Sequence, residues 1–201
     1  MNEEQALKKL IDGNKRYVEA TAGEGEIATN VGGANIETQK PFAVILGCAD
    51  SRVPAEIIFN CGVGDLFVVR VAGNTIAPSQ IGSIELGCQY FGAELVVVLG
   101  HTGCGAVEVT IESLLEGTPR ESSNIEAIVD RVSPAVQELV NQNNYRDRDH
   151  LSEIAIHANV RQSVQGLTQQ SEILSNLVAQ SKLKIVGAEY SIETGIVHFL
   201  D

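Results

Sequence analysis

The 201-residue chain has no Cys-x-x-Cys pair, no long apolar run and comparatively few basic residues. Structural zinc sites are normally closed by four ligands, often from two Cys-x-x-Cys pairs, so a closed site of that kind is not indicated. A membrane-spanning helix needs about 18 or more consecutive apolar residues, and its absence argues against a membrane protein. The 14 basic and 26 acidic residues give a net charge of −12, which argues against nucleic acid or an anionic membrane as partner.

The four cysteines are expected to be reduced. The first residues are acidic and no apolar run follows them, so no signal peptide is predicted and we expect a cytoplasmic protein. Reduced thiols in such a protein favour metal binding or catalysis over disulfides. Cys88 lies in an apolar helical pattern and Cys61 in a turn-rich stretch, and we interpret both as buried core residues.

Alternating strand and helix patterns predict an α/β fold with a mainly parallel sheet flanked by helices. Continuous apolar runs of strand length lie at 42–47, 66–70, 95–100 and 184–188, with a candidate edge strand at 195–200. Helices are predicted at 3–19, 79–91, 106–115, 122–142 and 151–180, with a break near 141–144. We expect one domain over 1–201, with an N-terminal helix and arm over 1–38 and an α/β core over 39–201.

Two short motifs carry the chemistry: Cys48-Ala49-Asp50-Ser51-Arg52 and His101-Thr102-Gly103-Cys104. Each follows a predicted parallel strand, and ligands collect at the carboxyl ends of such strands. Two thiolates and one imidazole form a zinc ligand set, and three protein ligands leave the fourth position open for catalysis. The alternative is a buried thiol beside a helix-capping histidine.

The motif pair also contains a carboxylate and a guanidinium, Asp50 and Arg52. Asp50 has three candidate roles: metal ligand, acceptor of a hydrogen bond from a metal-bound hydroxide, or cap of the following segment. Arg52 can hold Asp50 ionised and oriented. The alternative is an ordinary surface salt bridge.

The remaining candidate motifs are interpreted as structural. Three histidines have no ligand-spaced neighbours: His150, His157 and His198. Two glycine-containing segments lack a Walker lysine or a dinucleotide-binding pattern and are predicted to be turns: Gly62–Gly64 and Val71–Asn74. The glycines of the second motif favour a tight strand-to-helix turn in which backbone can approach a small ligand: Gly100, Gly103 and Gly105.

The motifs resemble the β-class carbonic anhydrases. The resemblance is close over Gly47–Glu56, Gly64–Arg70 and Gly100–Gly105 and weaker at 10–17, 159–164, 187–190 and 193–195. It implies a zinc enzyme that interconverts carbon dioxide and bicarbonate through a zinc-bound hydroxide. By this resemblance Cys48, His101 and Cys104 are the zinc ligands and Asp50 and Arg52 the catalytic dyad. Asp50 is also a candidate fourth ligand in a closed state favoured at lower pH.

The resemblance implies an assembly as well as a site. It implies a homodimer, able to pair into a homotetramer, in which the N-terminal helix packs on the neighbouring subunit. Substrate-pocket residues by the same resemblance are Gln39, Phe67 and Gly105.

The chain departs from the family pattern at several positions. Leu86 stands where plant-like members carry a pocket tyrosine, and Tyr90 where some carry a proton-shuttling histidine. Ile45 replaces the tryptophan of bicarbonate-regulated bacterial members, although Arg70 and Tyr190 are family-like. The proton route and the inhibitory bicarbonate pocket therefore do not transfer.

Two other functions remain compatible with the motifs. The same site could hydrolyse carbonyl sulfide or carbon disulfide, and assays with each substrate distinguish that activity from carbon dioxide hydration. An inactive, zinc-stabilised homologue is the non-enzymatic alternative, against which the Asp50–Arg52 pair argues.

Overall fold

The computed structural model describes residues 1–26, 39–117 and 122–200. Its centre is a five-stranded sheet in the order β2-β1-β3-β4-β5. The strands are β1 (Ala43–Gly47), β2 (Leu66–Arg70), β3 (Leu95–His101), β4 (Lys184–Tyr190) and β5 (Val197–Leu200). The first four are parallel, and β5 runs antiparallel to β4 at one edge. The predicted mainly parallel sheet and its edge strand are confirmed.

The sheet is covered by helices on both faces. The helices are α1 (Glu3–Thr21), α2 (Ala55–Ile58), α3 (Pro78–Gln89), α4 (Gly105–Glu116), α5 (Ser123–Gln142), α6 (Arg148–Gln170) and α7 (Glu172–Ala179). Helices α1 and α2 pack on one face of the sheet, and α3, α6 and α7 pack on the other. A third apolar cluster joins α4, α5 and α6 and includes Cys48 and Cys104. The motif cysteines therefore lie where the sheet meets this helical layer.

The apolar runs form strands because both of their faces are buried. All residues of β1 and β3 are buried. Ile45 and Val97 point into the α1 side, whereas Val44 and Val96 point into the α3 side. Such strands contain few polar residues to mark their faces, which is why they appear in the sequence as unbroken apolar runs.

The helix predicted over 151–180 is wrong at Ser171, where the chain breaks into α6 and α7. The Ser171 hydroxyl accepts a hydrogen bond from the Leu174 amide at 3.0 Å and donates one to a Glu85 carboxylate oxygen at 2.6 Å. Ser171 is extended (φ −125°, ψ 111°) and thus caps a new helix. Most of the predicted loop or arm at 21–38 lies outside the described residues, namely 27–38.

Helix α6 packs unusually close to the sheet at Gly100. A Cβ atom at this position would lie only 2.6 Å from a Val160 methyl carbon. Glycine therefore permits the close approach. The consequence is that the middle of α6 reaches the layer in which the motifs lie.

Helix α1 begins with a capping box formed by Asn2 and Gln5. It buries Ala6 and Leu10 against the core of its own chain. Asn14 donates to the carbonyls of Ile58 (3.1 Å) and Gly195 (2.9 Å). Packing of this helix on a neighbouring subunit stays a prediction.

Within the described ranges, no helix combines the length and apolar character that a bilayer crossing requires.

His157 on α6 is paired with Glu189 on β4, at 2.9 Å between Nε2 and the carboxylate. The side chains are 27% and 12% exposed, so the pair is largely shielded from water. The Glu189 carboxylate raises the pKa of His157 above its ordinary value. The interpretation of His157 as structural agrees with this pair, which joins α6 to the sheet.

We expect this pair to stabilise the fold at low pH. Because the folded pKa of His157 is raised, its contribution is complete below the ordinary pKa of about 6.5 and is lost as pH rises through the folded value. A charged hydrogen bond that is partly exposed contributes about 1 kcal/mol, or about 2–4 °C in melting temperature for a chain of this size. Melting temperatures of wild type and His157→Gln should therefore differ at about pH 6 and converge by about pH 9. A difference in melting temperature that stays constant across this pH range would contradict a stabilising role of the His157–Glu189 pair. The same pH trend in His150→Gln would contradict it as well.

Candidate metal centre

Two adjacent parallel strands bring the motifs together. Strand β1 pairs with β3, with Gly47 opposite Leu99. Cys48 directly follows β1, and His101 is the last residue of β3. Cys104 follows three residues later, immediately before α4. The Sγ atoms of both cysteines and a ring nitrogen of His101 all lie within 4.8 Å of one another, and all three residues are buried.

The ring of His101 is oriented with one nitrogen free. Its Nδ1 lies 3.0 Å from the Thr102 carbonyl oxygen, and because a carbonyl only accepts, Nδ1 donates the proton. The other nitrogen, Nε2, then carries a lone pair and has no hydrogen-bond partner in the described part of the chain. Thr102 is itself fixed, since its amide donates to Tyr190 at 3.0 Å and its hydroxyl accepts from Ile192 at 3.1 Å.

The thiols of Cys48 and Cys104 are hydrogen-bonded to each other, which favours a thiolate at Cys48. A hydrogen bond from Cys104, together with one from the Gly73 amide, lowers the pKa of Cys48. The hydrogen bond to Cys48, together with burial, raises the pKa of Cys104. Cys104 also lies at the start of α4, where the amides of Ala106 and Val107 favour its thiolate.

These residues fit a zinc ion. Two adjacent thiols and an imidazole with an unpartnered buried lone pair form a soft, mixed sulfur and nitrogen donor set, which zinc prefers. The other two cysteines are buried apart from the cluster, and burial raises the pKa of each thiol, Cys61 and Cys88, to about 12. They behave as the core residues that the sequence predicts.

Asp50 and Arg52 form a bidentate pair beside the cluster. One carboxylate oxygen of Asp50 accepts from the Arg52 amide and Nε, both at 2.9 Å, and the other accepts from Nη2 at 2.7 Å. These bonds hold the pKa of Asp50 well below its usual range. The Asp50 side chain is 18% exposed and that of Arg52 is 53% exposed, so the carboxylate faces the cluster while the guanidinium is open to solvent. Arg52 Nη2 also donates to the Gly103 carbonyl at 3.3 Å, so the pair is tied to the Cys104 turn.

Arg70, at the end of β2, holds the backbone of the first motif. Its Nε donates to the Cys48 carbonyl at 2.9 Å and its Nη2 to the Asp50 carbonyl at 2.5 Å. Tyr190 contacts the Tyr17 hydroxyl at 3.3 Å. Ile45 is fully buried in β1. Arg70 and Tyr190 thus both make contacts within the chain.

The three predicted pocket residues occupy different surroundings. Gly105 is exposed at the first position of α4, and nothing lies within 4 Å of where its Cβ would be. Phe67 in β2 is half-buried, with its ring centre 5.6 Å from that of Phe91. Gln39 is exposed just before β1.

Sequence reasoning missed the turn that contacts Cys48. Gly73 was predicted only as part of a turn, yet its amide donates to Cys48 Sγ at 3.4 Å. Asn159 and Ser163 on α6 bond to this turn. Their spacing of four residues on a buried helical face was the available signal, although it does not reveal what the polar side chains contact.

Known proteins share both the sequence and the fold. The family model described as "Carbonic anhydrase" matches residues 43–197. "Carbonic anhydrase 2" of Mycobacterium tuberculosis is 38% identical over 192 residues, covering 94% of this chain and 89% of its own. The Coccomyxa β-carbonic anhydrase, solved with acetazolamide, superposes with a TM-score of 0.73 at 23% identity over 96% of this chain and 86% of its own.

A tetrameric β-carbonic anhydrase of Sordaria macrospora gives a TM-score of 0.73 at 20% identity, covering 82% of each chain. At these identities the solved structures establish the fold, whereas the family match and the M. tuberculosis relative establish the relationship by sequence. The chain belongs to the β-carbonic anhydrases, the zinc-dependent enzymes that hydrate carbon dioxide.

Proposed function

We propose that Cys48, His101 and Cys104 hold one zinc ion per chain and that carbon dioxide is hydrated beside it. The observation that supports this most is the convergence of the three ligand atoms within 4.8 Å, with His101 Nε2 buried and unpartnered in the described part of the chain. When bound, zinc supplies Lewis acidity that lowers the pKa of water to about 7.

Asp50 is proposed to orient the attacking water. Its carboxylate is held ionised by Arg52, and an ionised carboxylate can only accept hydrogen bonds. It therefore accepts an O–H of the water and directs an oxygen lone pair towards the substrate carbon. Arg52 positions the carboxylate and, through Gly103, couples it to the turn that carries Cys104.

Gly105, Phe67 and Gln39 are proposed to line the substrate pocket. The open space at Gly105 directly follows Cys104, so a small uncharged substrate can approach the metal ligands there. Phe67 supplies an apolar ring, and Gln39 supplies an amide. We propose that a second subunit completes this pocket.

A homodimer, able to pair into a homotetramer, is the proposed assembly. Two neighbouring apolar side chains are strongly exposed, Leu86 on α3 at 45% and Tyr90, the C-terminal cap of that helix, at 75%. Large exposed apolar side chains that cluster are typical of subunit interfaces. The tetrameric Sordaria relative supports the larger assembly.

A cytoplasmic location is proposed because all four cysteines are free thiols, as is usual in reducing compartments.

Stopped-flow measurement of carbon dioxide hydration, compared with hydrolysis of carbonyl sulfide and carbon disulfide, tests the proposed substrate. We expect hydration to be the fastest of the three by a wide margin. Faster hydrolysis of either sulfur compound would reassign the substrate, and no turnover of any of them by the zinc-loaded protein would identify an inactive homologue.

A closed state in which Asp50 becomes the fourth zinc ligand is a further prediction. Three hydrogen bonds from Arg52 oppose this movement. Hydroxide competes with the carboxylate for zinc and becomes more abundant as pH rises. Crystals grown at about pH 7 and about pH 9 test this prediction. We expect Asp50 to be separated from Arg52 only in the crystals grown at the lower pH. An Asp50–Arg52 pair that is unchanged at both values would reject the switch.

A further inference from the structure

A short turn runs beside the first cysteine of the metal centre. The amide of Val71 donates to the Gly47 carbonyl at 3.1 Å, and the amide of Ala49 donates to the Val71 carbonyl at 3.3 Å. The chain then turns through Ala72–Asn74, and the Gly73 amide points at Cys48 Sγ at 3.4 Å. The turn therefore supplies a hydrogen bond to a metal-ligating sulfur.

The turn has an unusual backbone conformation. Gly73 has φ 68° and Asn74 has φ 44°, so two successive residues are left-handed. A Cβ at Gly73 would lie 3.0 Å from the Ala106 methyl at the start of α4. Glycine adopts this region freely and asparagine tolerates it, so the sequence suits the turn, and support from the surrounding structure fixes its position.

Helix α6 provides that support with two polar side chains one turn apart. Asn159 Nδ2 donates to the Gly73 carbonyl at 2.8 Å, and Ser163 Oγ donates to the Asn74 carbonyl at 3.1 Å. Both side chains are almost fully buried, at 1% and 2% exposure. The close packing of α6 on Gly100 brings them within reach of the turn.

Space filling alone does not account for Asn159. Its Oδ1 is buried and has no hydrogen-bond partner in the described part of the chain. A buried acceptor without a partner costs free energy, and an apolar side chain of similar size would avoid that cost. What the amide contributes is the hydrogen bond to Gly73.

We propose that Asn159 is a positioning residue of the metal centre, supported by Ser163, that fixes the Gly73 amide against Cys48 Sγ. The inference rests on the proposed zinc ligands and deepens that site. An N–H group directed at a thiolate stabilises its charge and fixes the sulfur position, so it tunes both zinc affinity and the electron density that sulfur donates to the metal.

The chain offers a matched control in Asn14. It is also buried, and its amide nitrogen donates to the carbonyls of Ile58 and Gly195 while its oxygen accepts from the Val197 amide, but it belongs to α1 rather than to the metal centre. Asn14→Leu and Asn159→Leu thus make the same chemical change at a structural position and at the proposed positioning residue.

The test measures two properties of the full-length wild type and of each variant. The first is zinc affinity, by competition with a chromophoric chelator, and the second is the thiolate-to-metal absorption of the cobalt(II)-substituted protein. We expect Asn159→Leu to weaken zinc binding by about 10–100-fold and to shift the cobalt absorption. Ser163→Ala should act in the same direction with a smaller effect. Asn14→Leu should lower the melting temperature and leave both metal readouts at wild-type values.

Equal zinc affinity and equal cobalt absorption in wild type and Asn159→Leu would overturn the proposal, as would the same losses in Asn14→Leu. If Asn159→Leu does not fold, unchanged metal readouts in Ser163→Ala overturn it. A wild-type protein that binds no zinc would instead overturn the ligand set, so the two failures are distinguishable.

Discussion

Replacing Cys48 or Cys104 with serine should remove zinc from the protein and abolish carbon dioxide hydration. A serine hydroxyl keeps its proton at neutral pH and is a poor ligand where a thiolate is required. Complete zinc sites in small domains supply about 10–16 kcal/mol, so losing one of the few ligands should weaken zinc binding by at least about two orders of magnitude. Metal analysis of the purified variants, with stopped-flow assays on the same samples, measures both effects.

Cys61→Ser and Cys88→Ser are the matched controls. Both cysteines are buried, and both lie outside the cluster of ligand atoms. They should retain zinc and activity, apart from small losses of stability. Full zinc occupancy in both Cys48→Ser and Cys104→Ser would refute the ligand assignment, and zinc loss in the controls would show that the effect is not specific.

Asp50→Asn and Arg52→Ala should each lower kcat/KM by about 10²–10⁴-fold while zinc remains bound. Asparagine keeps the shape of Asp50 but loses the charge that Arg52 holds in place, and its NH₂ group donates where a carboxylate accepts. Arg52→Ala removes two side-chain bonds to Asp50 and the contact to Gly103. The measurement is the stopped-flow rate at matched zinc content.

Asp12→Asn is the appropriate control for the carboxylate change. Asp12 forms an exposed ion pair with Lys8 at 2.6 Å on α1, and such surface pairs contribute little. The rate of carbon dioxide hydration by Asp12→Asn should equal that of wild type. If Asp50→Asn and Arg52→Ala also keep wild-type rates, the Asp50–Arg52 pair is only a structural salt bridge.

The architecture around the site was predictable because it rests on local patterns. Cys48 follows an apolar run and His101 ends another, and parallel strands place their carboxyl ends on one edge. The pairing of β1 with β3 as direct neighbours brings the two residues to one place. The α/β fold and the meeting of the three candidate ligands therefore followed from the sequence.

Other features depended on contacts between distant segments. Ser171 ends α6 partly through Glu85, which lies 86 positions earlier, so the pattern of the helix itself did not reveal the break. The role of Gly73 depends on Asn159, also 86 positions away. No local periodicity encodes such pairings, and the turn at Gly73 appeared in the sequence as an ordinary one.

Stepwise reconstitution of the metal-free protein with zinc tests the central claim most directly. The rate of carbon dioxide hydration should rise in proportion to added zinc and reach a plateau at one zinc per chain, because the described residues hold one cluster of three candidate ligands. Hydration by the metal-free protein, or a plateau well away from one equivalent, would contradict the account.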